Sequence, residues 1–340
     1  MGYVLSMDSF AEVISALFGN YRIFAPVRKK GAGRFTDVDA VIYDEIRDAD
    51  MIELDAKSDY ASKEFLTPLS ETLFYFTEEE VKEADLDVKP VLLFGRSCDL
   101  HALKRLDQIY LANGTAEDPF YQRRRDLIKC VLIGCGHSYD NCFCVSMGSN
   151  KYEDGYVFSV DLIDGKIHAD VTDAEFDKAF KEYGNAETAG VIPRYVTEND
   201  VKVEIPDEIP KEIITGELWD EYTARCINCG RCNFACPTCT CYTMQDVFYS
   251  DNGRVGERRR VAASCMVDGY TDVAGGGQYR KTNGQRMRFK VLHKISDFRK
   301  RFDYQMCVGC GRCDDICPEY ISFSNIINKV NDAVKKEVNS

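Results

Sequence analysis

A duplicated cysteine run constrains this chain more than any other feature of its 340 residues. The first run, CINCGRCNFACP, contains Cys226, Cys229, Cys232 and Cys236. The second run, CVGCGRCDDICP, repeats the spacing with Cys307, Cys310, Cys313 and Cys317. The pattern C-x2-C-x2-C-x3-C-P is typical of proteins that hold two [4Fe-4S] clusters. The two runs therefore predict a ferredoxin-type carrier of single electrons.

The spacing also predicts which thiolates share a cluster. Three closely spaced cysteines wrap one cubane, and the fourth, just before the proline, reaches the neighbouring cluster. Set I, the predicted ligands of the first cluster, is Cys226, Cys229, Cys232 and Cys317. Set II, the predicted ligands of the second, is Cys236, Cys307, Cys310 and Cys313. Gly230 and Gly311 allow the backbone to approach each cluster closely.

Zinc is the alternative occupant of these runs, because paired C-x2-C units also make zinc sites. That reading gives a zinc-stabilised interaction scaffold without a redox role. Zinc takes four tetrahedral ligands and seldom shows a third cysteine and a Cys-Pro ending. The sequence therefore favours iron-sulfur clusters.

Composition excludes several other classes. Sixteen cysteines are too many for a reducing compartment unless they bind metal, and disulfides need an oxidising one. No secretory signal opens the chain, and no apolar run approaches the roughly 20 residues of a membrane span. A net charge of −13 argues against general nucleic-acid binding. We therefore expect a soluble, cytoplasmic protein with no membrane and no nucleic-acid partner.

Hydrophobic periodicity predicts two domains, with a boundary in the proline-containing, charged segment Val203–Ile213. Residues 1–205 are expected to form an α/β or α+β domain, with a first helix capped at Ser9. Its predicted strands are Ala40–Tyr43, Leu73–Phe76, Val91–Phe94, Val131–Ile133, Tyr156–Val160 and Ile167–Val171. Its other predicted helices are Asp99–Tyr110 and Asp173–Tyr183.

Residues 206–340 are expected to form a mainly helical ferredoxin-type domain that carries both clusters. The predicted helices are Glu217–Arg225, Met244–Tyr249, Arg286–Phe302 and Ile321–Val338. The 70 residues between Cys236 and Cys307 exceed the link in a small bacterial ferredoxin. This length favours a helical arrangement over the compact βαβ type.

Four further cysteines predict a third cluster in the first domain. Set III, the predicted ligands, is Cys98, Cys135, Cys142 and Cys144. Cys98 and Cys135 follow predicted strands, and open α/β sheets build sites where strands end. The alternative is that these cysteines are small buried hydrophobes. Cys130, within the apolar run CVLIG, is assigned to the core for that reason.

The remaining cysteines, Cys239, Cys241 and Cys265, have no predicted ligand role. We expect them to support cluster sulfurs or to pack in the core. The alternative that Cys239 replaces Cys236 as a cluster ligand stays open. No catalytic residue is predicted. No Gly-x-Gly-x-x-Gly follows a strand, so nicotinamide or flavin binding is not indicated.

The segment Asp251–Asp303 has 13 basic against six acidic residues. It either forms solvated helix faces or contacts an acidic partner and offsets negative clusters.

With these motifs assembled, the chain resembles the A subunit of anaerobic sulfite reductase, a ferredoxin-like iron-sulfur subunit. The resemblance is carried by SCDLHALKRLDQIY, DPFYQRRR and NCFCVSMG in the first half. In the second half it is carried by CINCGRCNFACPTCTCYTMQD, GERRRVAASC and CVGCGRCDDICP. Beta subunits of soluble sulfhydrogenases share much of this layout and form the nearest rival.

The resemblance implies a role within a complex. Electrons from NADH would enter through a flavin-bearing subunit, cross this chain singly, and reach a sirohaem-bearing catalytic subunit that reduces sulfite to sulfide. The alternative is the electron-transfer subunit of a soluble hydrogenase, whose catalytic partner would carry nickel. Either role makes this chain a non-catalytic component of an oxidoreductase.

Overall fold

The computed structural model describes residues 1–33, 37–183, 187–188 and 190–338. Strands and helices alternate in the first half, whereas helices dominate after residue 282. The strands are β1 (Gly2–Leu5), β2 (Arg22–Lys29), β3 (Ala40–Glu45), β4 (Ser70–Phe76), β5 (Val81–Glu83), β6 (Val91–Arg96), β7 (Ile128–Ile133), β8 (Phe158–Ile163), β9 (Lys166–Asp170), β10 (Glu187–Thr188), β11 (Tyr242–Phe248), β12 (Gly256–Ala262), β13 (Asp272–Val273) and β14 (Gly277–Gln278). The helices are α1 (Met7–Leu17), α2 (Ser97–Leu111), α3 (Pro119–Arg125), α4 (Ala174–Tyr183), α5 (Lys211–Thr215), α6 (Asp220–Arg225), α7 (Arg231–Ala235), α8 (Asn283–Leu292), α9 (Arg299–Phe302), α10 (Arg312–Asp315) and α11 (Phe323–Val338).

Eight strands of the described residues form a mixed sheet in the order β10-β1-β9-β8-β7-β6-β2-β3. The central strands β2, β6, β7 and β8 are parallel. Every residue of β6 is buried, because α1 and α4 cover one face of the sheet and α2 and α3 cover the other. Since parallel strands end at the same edge, the segments after β6 and β7 start side by side. These segments carry Cys98 and Cys135.

The predicted mixed α/β character of the first half is confirmed, and each of its predicted strands overlaps an observed one. The first helix, however, is capped by Ser6, whose hydroxyl oxygen accepts a hydrogen bond of 3.1 Å from the Ser9 backbone N–H. The capping site predicted at Ser9 was therefore one turn too late.

A second sheet joins the two halves of the chain. It is antiparallel, with the order β11-β12-β4-β5, so β4 from the first half pairs directly with β12 from the second. The prediction of a helix at Met244–Tyr249 was wrong, because those residues form most of β11. The second half is therefore mixed in its middle rather than mainly helical throughout. The division at residue 205 stays a prediction, and this sheet takes strands from both sides of it.

The rest of the second half is helical and packs around the cysteine runs. Helix α8 continues through a π-helical turn, His293–Asp297, towards α9, as predicted for Arg286–Phe302. The core side chains in this part come from α6, α8 and α11, and include Tyr222, Val291 and Ile327. Among the described residues, no helix has the length and apolar character to cross a membrane.

Candidate metal centres

The four cysteines of set I line one cavity. Cys226 follows α6, Cys229 lies on the exposed turn before α7, and Cys317 follows α10. Gly230 lies in the same turn and has a φ of +76°, a conformation that glycine adopts without strain. The Ile321 backbone N–H lies 3.3 Å from the Cys317 sulfur and donates to it. The loops thus bring together the thiols that the spacing assigned to one cluster.

A buried lysine adjoins set I. Lys290 of α8 is only 4% exposed and lines the same cavity, together with Cys313 of set II. Burial opposes its charge, but the neighbouring Cys232 and Cys313 thiolates hold the pKa of Lys290 well above its ordinary value. Lys290 is therefore a cation whose counter-charge comes from thiolates of both sets.

Set II combines the last cysteine of the first run with the first three cysteines of the second. Burial raises the pKa of Cys307 to about 12 and of Cys310 to about 11, and in each case the nearby charge of Cys236 adds to the rise. Burial also raises the pKa of Cys313 well above its ordinary value, and the charge of Cys236 is among the neighbours that raise it further. The Gly309 backbone N–H donates to the Cys307 sulfur at 3.4 Å. Cys236 thus lies among the three thiols of the other run, as the crossed spacing requires.

A second buried lysine adjoins set II. Lys294, one turn beyond Lys290, is 2% exposed and donates a hydrogen bond of 2.6 Å to the Thr238 hydroxyl, which lies 3.5 Å from the Cys236 sulfur. Burial opposes its charge, but the Cys236, Cys239 and Cys307 thiolates raise the pKa of Lys294. Buried ammonium groups are unfavourable unless an anion compensates them. Here the thiolates compensate them.

The four cysteines of set III also line one cavity. Cys98 lies in the first turn of α2 and Cys135 lies just after β7, at the carboxyl edge of the parallel strands. Cys142 and Cys144 lie further along the same loop, between β7 and β8. The Lys57 ammonium is 3.8 Å from the Cys142 sulfur, and the Asn199 amide nitrogen is 3.7 Å from the Cys144 sulfur. The fold therefore brings the four cysteines of set III together at this edge of the sheet, and their role as ligands stays a prediction.

The set III loop packs directly on the second cysteine run. The Phe143 backbone N–H donates to the Gly309 carbonyl at 2.8 Å, and the Cys142 sulfur lies 3.5 Å from the Cys310 carbonyl oxygen. Gly309 and Gly311 both have positive φ, and a Cβ on Gly311 would come within 2.6 Å of a backbone carbon of the opposing loop. The two loops can approach this closely only because glycine occupies both positions.

A buried ion pair joins the first turn of α2, which carries Cys98, to the second cysteine run. Arg312 and Asp99 are 2.7 Å apart, with side chains 1% and 0% exposed. Asp99 also accepts from the Tyr43 hydroxyl at 3.0 Å, and Arg312 donates to the Ser58 carbonyl at 3.0 Å. Arg312 lines the set III cavity. It thereby supplies positive charge beside Cys98 and Cys310.

The donor chemistry of all three sets fits [4Fe-4S] clusters. Each set offers four thiols, and backbone N–H groups or buried cations lie beside the sulfurs. Among the described residues, no three His, Cys, Asp or Glu side chains converge closely enough for a single metal ion. A cubane holds its four ligand thiolates further apart than one tetrahedral ion does.

The remaining cysteines separate into two kinds. Cys130 is buried within β7, which confirms its assignment to the core. Cys239, Cys241 and Cys265 instead line another cavity beside Lys294. Cys239 hydrogen-bonds the Cys236 sulfur and so contacts a predicted ligand.

Sequence reasoning missed the residues that accompany the sulfurs. Lys290, Lys294 and Lys57 come close to thiols only through the tertiary fold, as does Asn199. The one available signal was the excess of basic residues in Asp251–Asp303, which contains two of these lysines.

Comparison with known proteins defines the class. Residues 225–321, which contain both cysteine runs, match the family described as a 4Fe-4S dicluster domain. The second half is thus that of an iron-sulfur protein.

One relative extends the match to nearly the whole chain. The chain is 30% identical over 356 residues to sulfhydrogenase 2 subunit beta of Pyrococcus furiosus, an alignment that covers 98% of this chain and all of the relative. The chain belongs to the family of sulfhydrogenase beta subunits, and it is an iron-sulfur electron-transfer subunit.

Proposed function

We propose that this chain relays single electrons through three [4Fe-4S] clusters held by sets I, II and III. The observation that carries the proposal is the order of the sets. Cys313 of set II lines the set I cavity, and Cys310 of set II lines the set III cavity. Set II therefore lies between the other two, and the three sets form a row.

The residues of the chain have distinct roles in this relay. The twelve thiolates hold the clusters, which when bound accept and donate one electron each. Lys290, Lys294 and Arg312 offset the negative charge of the thiolates within the interior. Backbone N–H groups that donate to sulfur, such as those of Gly309 and Ile321, favour the reduced state.

Both ends of the row approach the protein surface. Cys229 of set I is exposed, and at the other end Cys135 of set III is half-buried beside exposed His137. Set II, with its buried Cys310, lies further inside. This arrangement supports one electron donor and one electron acceptor, each docked at a different end.

We propose a flavin and NADH-binding subunit as the donor and a sirohaem-bearing subunit that reduces sulfite to sulfide as the acceptor. The support is the resemblance of the cysteine blocks in both halves to the A subunit of anaerobic sulfite reductase. A second candidate is the electron-transfer subunit of a hydrogenase complex. It is favoured by the full-length similarity to a sulfhydrogenase beta subunit.

Iron and sulfide analysis of the anaerobically reconstituted chain tests the number of clusters. Three clusters correspond to about twelve irons per chain and two clusters to about eight. We expect Cys229→Ser, Cys310→Ser and Cys144→Ser each to lose roughly four irons, or to convert one cluster to a form with fewer irons. Cys130→Ser is the matched control, because Cys130 is a buried cysteine outside the three sets.

Unchanged iron in all three variants would refute the assignment of the ligands. Stoichiometric zinc in the purified protein, without iron, would instead select the interaction scaffold.

Isolation of the native complex distinguishes the two candidate partners. A sirohaem absorption spectrum in the copurified catalytic subunit supports sulfite reduction. Nickel in that subunit and no sirohaem would select the hydrogenase alternative and exclude the sulfite reductase role.

A further inference from the structure

Two cysteines outside the three sets lie side by side at the open end of a β-hairpin. Cys241 directly precedes β11, and Cys265 lies three residues after β12. The Ala263 backbone N–H donates to the Cys241 carbonyl at 2.9 Å, which extends the strand pairing to this point. The hairpin therefore fixes the spacing of the two cysteines.

The two sulfurs share their hydrogen-bond partners. The Asn233 amide nitrogen lies 3.1 Å from the Cys265 sulfur and 4.0 Å from the Cys241 sulfur. The Cys265 thiol hydrogen-bonds the Cys241 sulfur. The neighbouring Tyr270 hydroxyl donates to the Tyr242 carbonyl at 3.3 Å. Asn233 is 1% exposed, so its amide holds a fixed position between the thiols. This arrangement stabilises a thiolate on Cys241 beside a second thiol.

Cationic side chains line the cavity next to the pair. Arg280 is a cation close to Cys241 and Cys265, and Lys290 and Lys294 add charges that the thiolates of sets I and II share. The described residues that line the cavity include no Asp or Glu. The Arg280 guanidinium is held 3.4 Å above the ring of Phe289. A small molecule that enters here meets cations and half-buried Cys241 together.

We propose that Cys241 and Cys265 form a redox-active dithiol that reduces small anionic disulfides by thiol–disulfide exchange. The Cys241 thiolate attacks one sulfur of the disulfide RSSR, which forms a mixed disulfide and releases one RS⁻. Cys265 loses its proton to solvent and attacks the Cys241 sulfur, which releases the second RS⁻. The dithiol is oxidised to a disulfide by two electrons, and RSSR is reduced to two thiols after RS⁻ takes up protons.

This activity does not depend on the relay proposed above. No cluster electron takes part in the exchange, and neither cysteine belongs to sets I, II or III. The two proposals therefore fail separately, one by loss of the crosslink and the other by unchanged iron in the ligand variants.

Peptide mapping of the full-length protein with its metal intact tests the proposal. The reduced protein is treated anaerobically with excess dithiodiglycolate, denatured in the presence of iodoacetamide and digested with trypsin without reductant. Cleavage after arginine places Cys241 in the peptide 232–254 and Cys265 in the peptide 261–280. We expect these two peptides to be joined, with the bond located at Cys241 by fragmentation.

Single variants identify the partners. Cys241→Ser and Cys265→Ser should each abolish the crosslink and retain the iron of the wild type, whereas Cys239→Ser should keep the crosslink. A wild-type protein without the crosslink would overturn the proposal, whether or not any variant folds. Loss of iron in Cys241→Ser or Cys265→Ser would also overturn it, because the residue would then be a ligand.

The charge of the cavity gives an independent test. Crosslink formation should be roughly threefold or more faster with anionic dithiodiglycolate than with cationic cystamine at equal concentration and low salt. Arg280→Met should reduce this ratio. Lys281→Met, which removes a charge outside the cavity lining, should leave it unchanged. An equal or reversed preference in the wild type would refute the anionic substrate class.

Discussion

Removal of the Lys294 charge should make the neighbouring cluster harder to reduce. Lys294→Met keeps the length of the side chain and deletes an ammonium that is 2% exposed. The described neighbours that raise its pKa are the thiolates of Cys236, Cys239 and Cys307. The substitution therefore removes positive charge from beside set II and leaves no carboxylate unpaired there.

The distances give the expected size of the shift in reduction potential. The Thr238 hydroxyl is 2.6 Å from the Lys294 ammonium and 3.5 Å from the Cys236 sulfur. The ammonium is therefore within about 6 Å of that sulfur. The electron added on reduction is spread over the cluster, so about 8 Å is a fair charge separation. Coulomb's law with an effective dielectric constant of about 20 then gives about 2 kcal/mol. For one electron this corresponds to a reduction potential lower by roughly 90 mV.

A redox titration followed by low-temperature magnetic resonance measures this shift. We expect one cluster signal to move by roughly 50–100 mV to more negative potential and the others to move less. Lys300→Met, which removes an exposed lysine six residues further on, is the matched control and should move none by more than about 10 mV. A Lys294→Met protein with unchanged potentials, or with a shift in the positive direction, would refute the role of the buried cation.

Three further perturbations test the surroundings of the sets. Gly311→Ala should lower the iron content and the thermal midpoint, because its Cβ would clash with the opposing loop; Gly148→Ala, with a similar positive φ and open space around it, should retain the iron. Burial, with help from neighbouring cations, lowers the pKa of His293 to about 4. The unfolded chain takes up this proton near pH 6.5, so stability should fall by about 2 kcal/mol between pH 7 and 5, and thermal unfolding of His293→Gln should show less of this loss. Asp99→Asn should cost about 3–5 kcal/mol in guanidinium unfolding, because the buried Arg312 guanidinium loses its carboxylate partner; a loss below 1 kcal/mol would contradict this.

The grouping of the thiols was predictable because it depends on local spacing. Within each run, two intervening residues bring successive sulfurs together on a turn, whatever the rest of the fold does. The predicted crossing of Cys236 and Cys317 between runs also follows from the spacing, since the cysteine before the proline ligates the neighbouring cluster in two-cluster ferredoxins. For set III, the strand-end positions of Cys98 and Cys135 gave the prediction, because parallel strands end at one edge.

The cations around the sulfurs were not predictable one by one. Lys290 and Lys294 lie one turn apart in a basic segment, a pattern equally typical of a solvated helix face. Only the packing of α8 and its π-helical turn against both runs shows that these lysines face the thiolates. Their burial supports the expectation that part of the basic segment offsets negative clusters.

The strand β11 shows why a local pattern failed. Residues 242–248 are almost all exposed, so they carry little of the hydrophobic alternation that marks a strand. Their conformation comes from pairing with β12, which in turn pairs with β4 from the first half. Such long-range pairing leaves no signal within a short window of sequence.

The shared sheet, the loop contact between Phe143 and Gly309, and the ion pair between Asp99 and Arg312 all join the first half to the second. The same contacts keep set III beside set II, because Cys142 and Gly309 lie on the two loops that meet. An electron relay requires fixed, short distances between clusters, and the close packing of these contacts would hold the cysteine sets at such fixed distances. The third set therefore depends on the second half for its position, although its four cysteines lie in the first, and the proposed row of three sets follows from the interleaving of the chain.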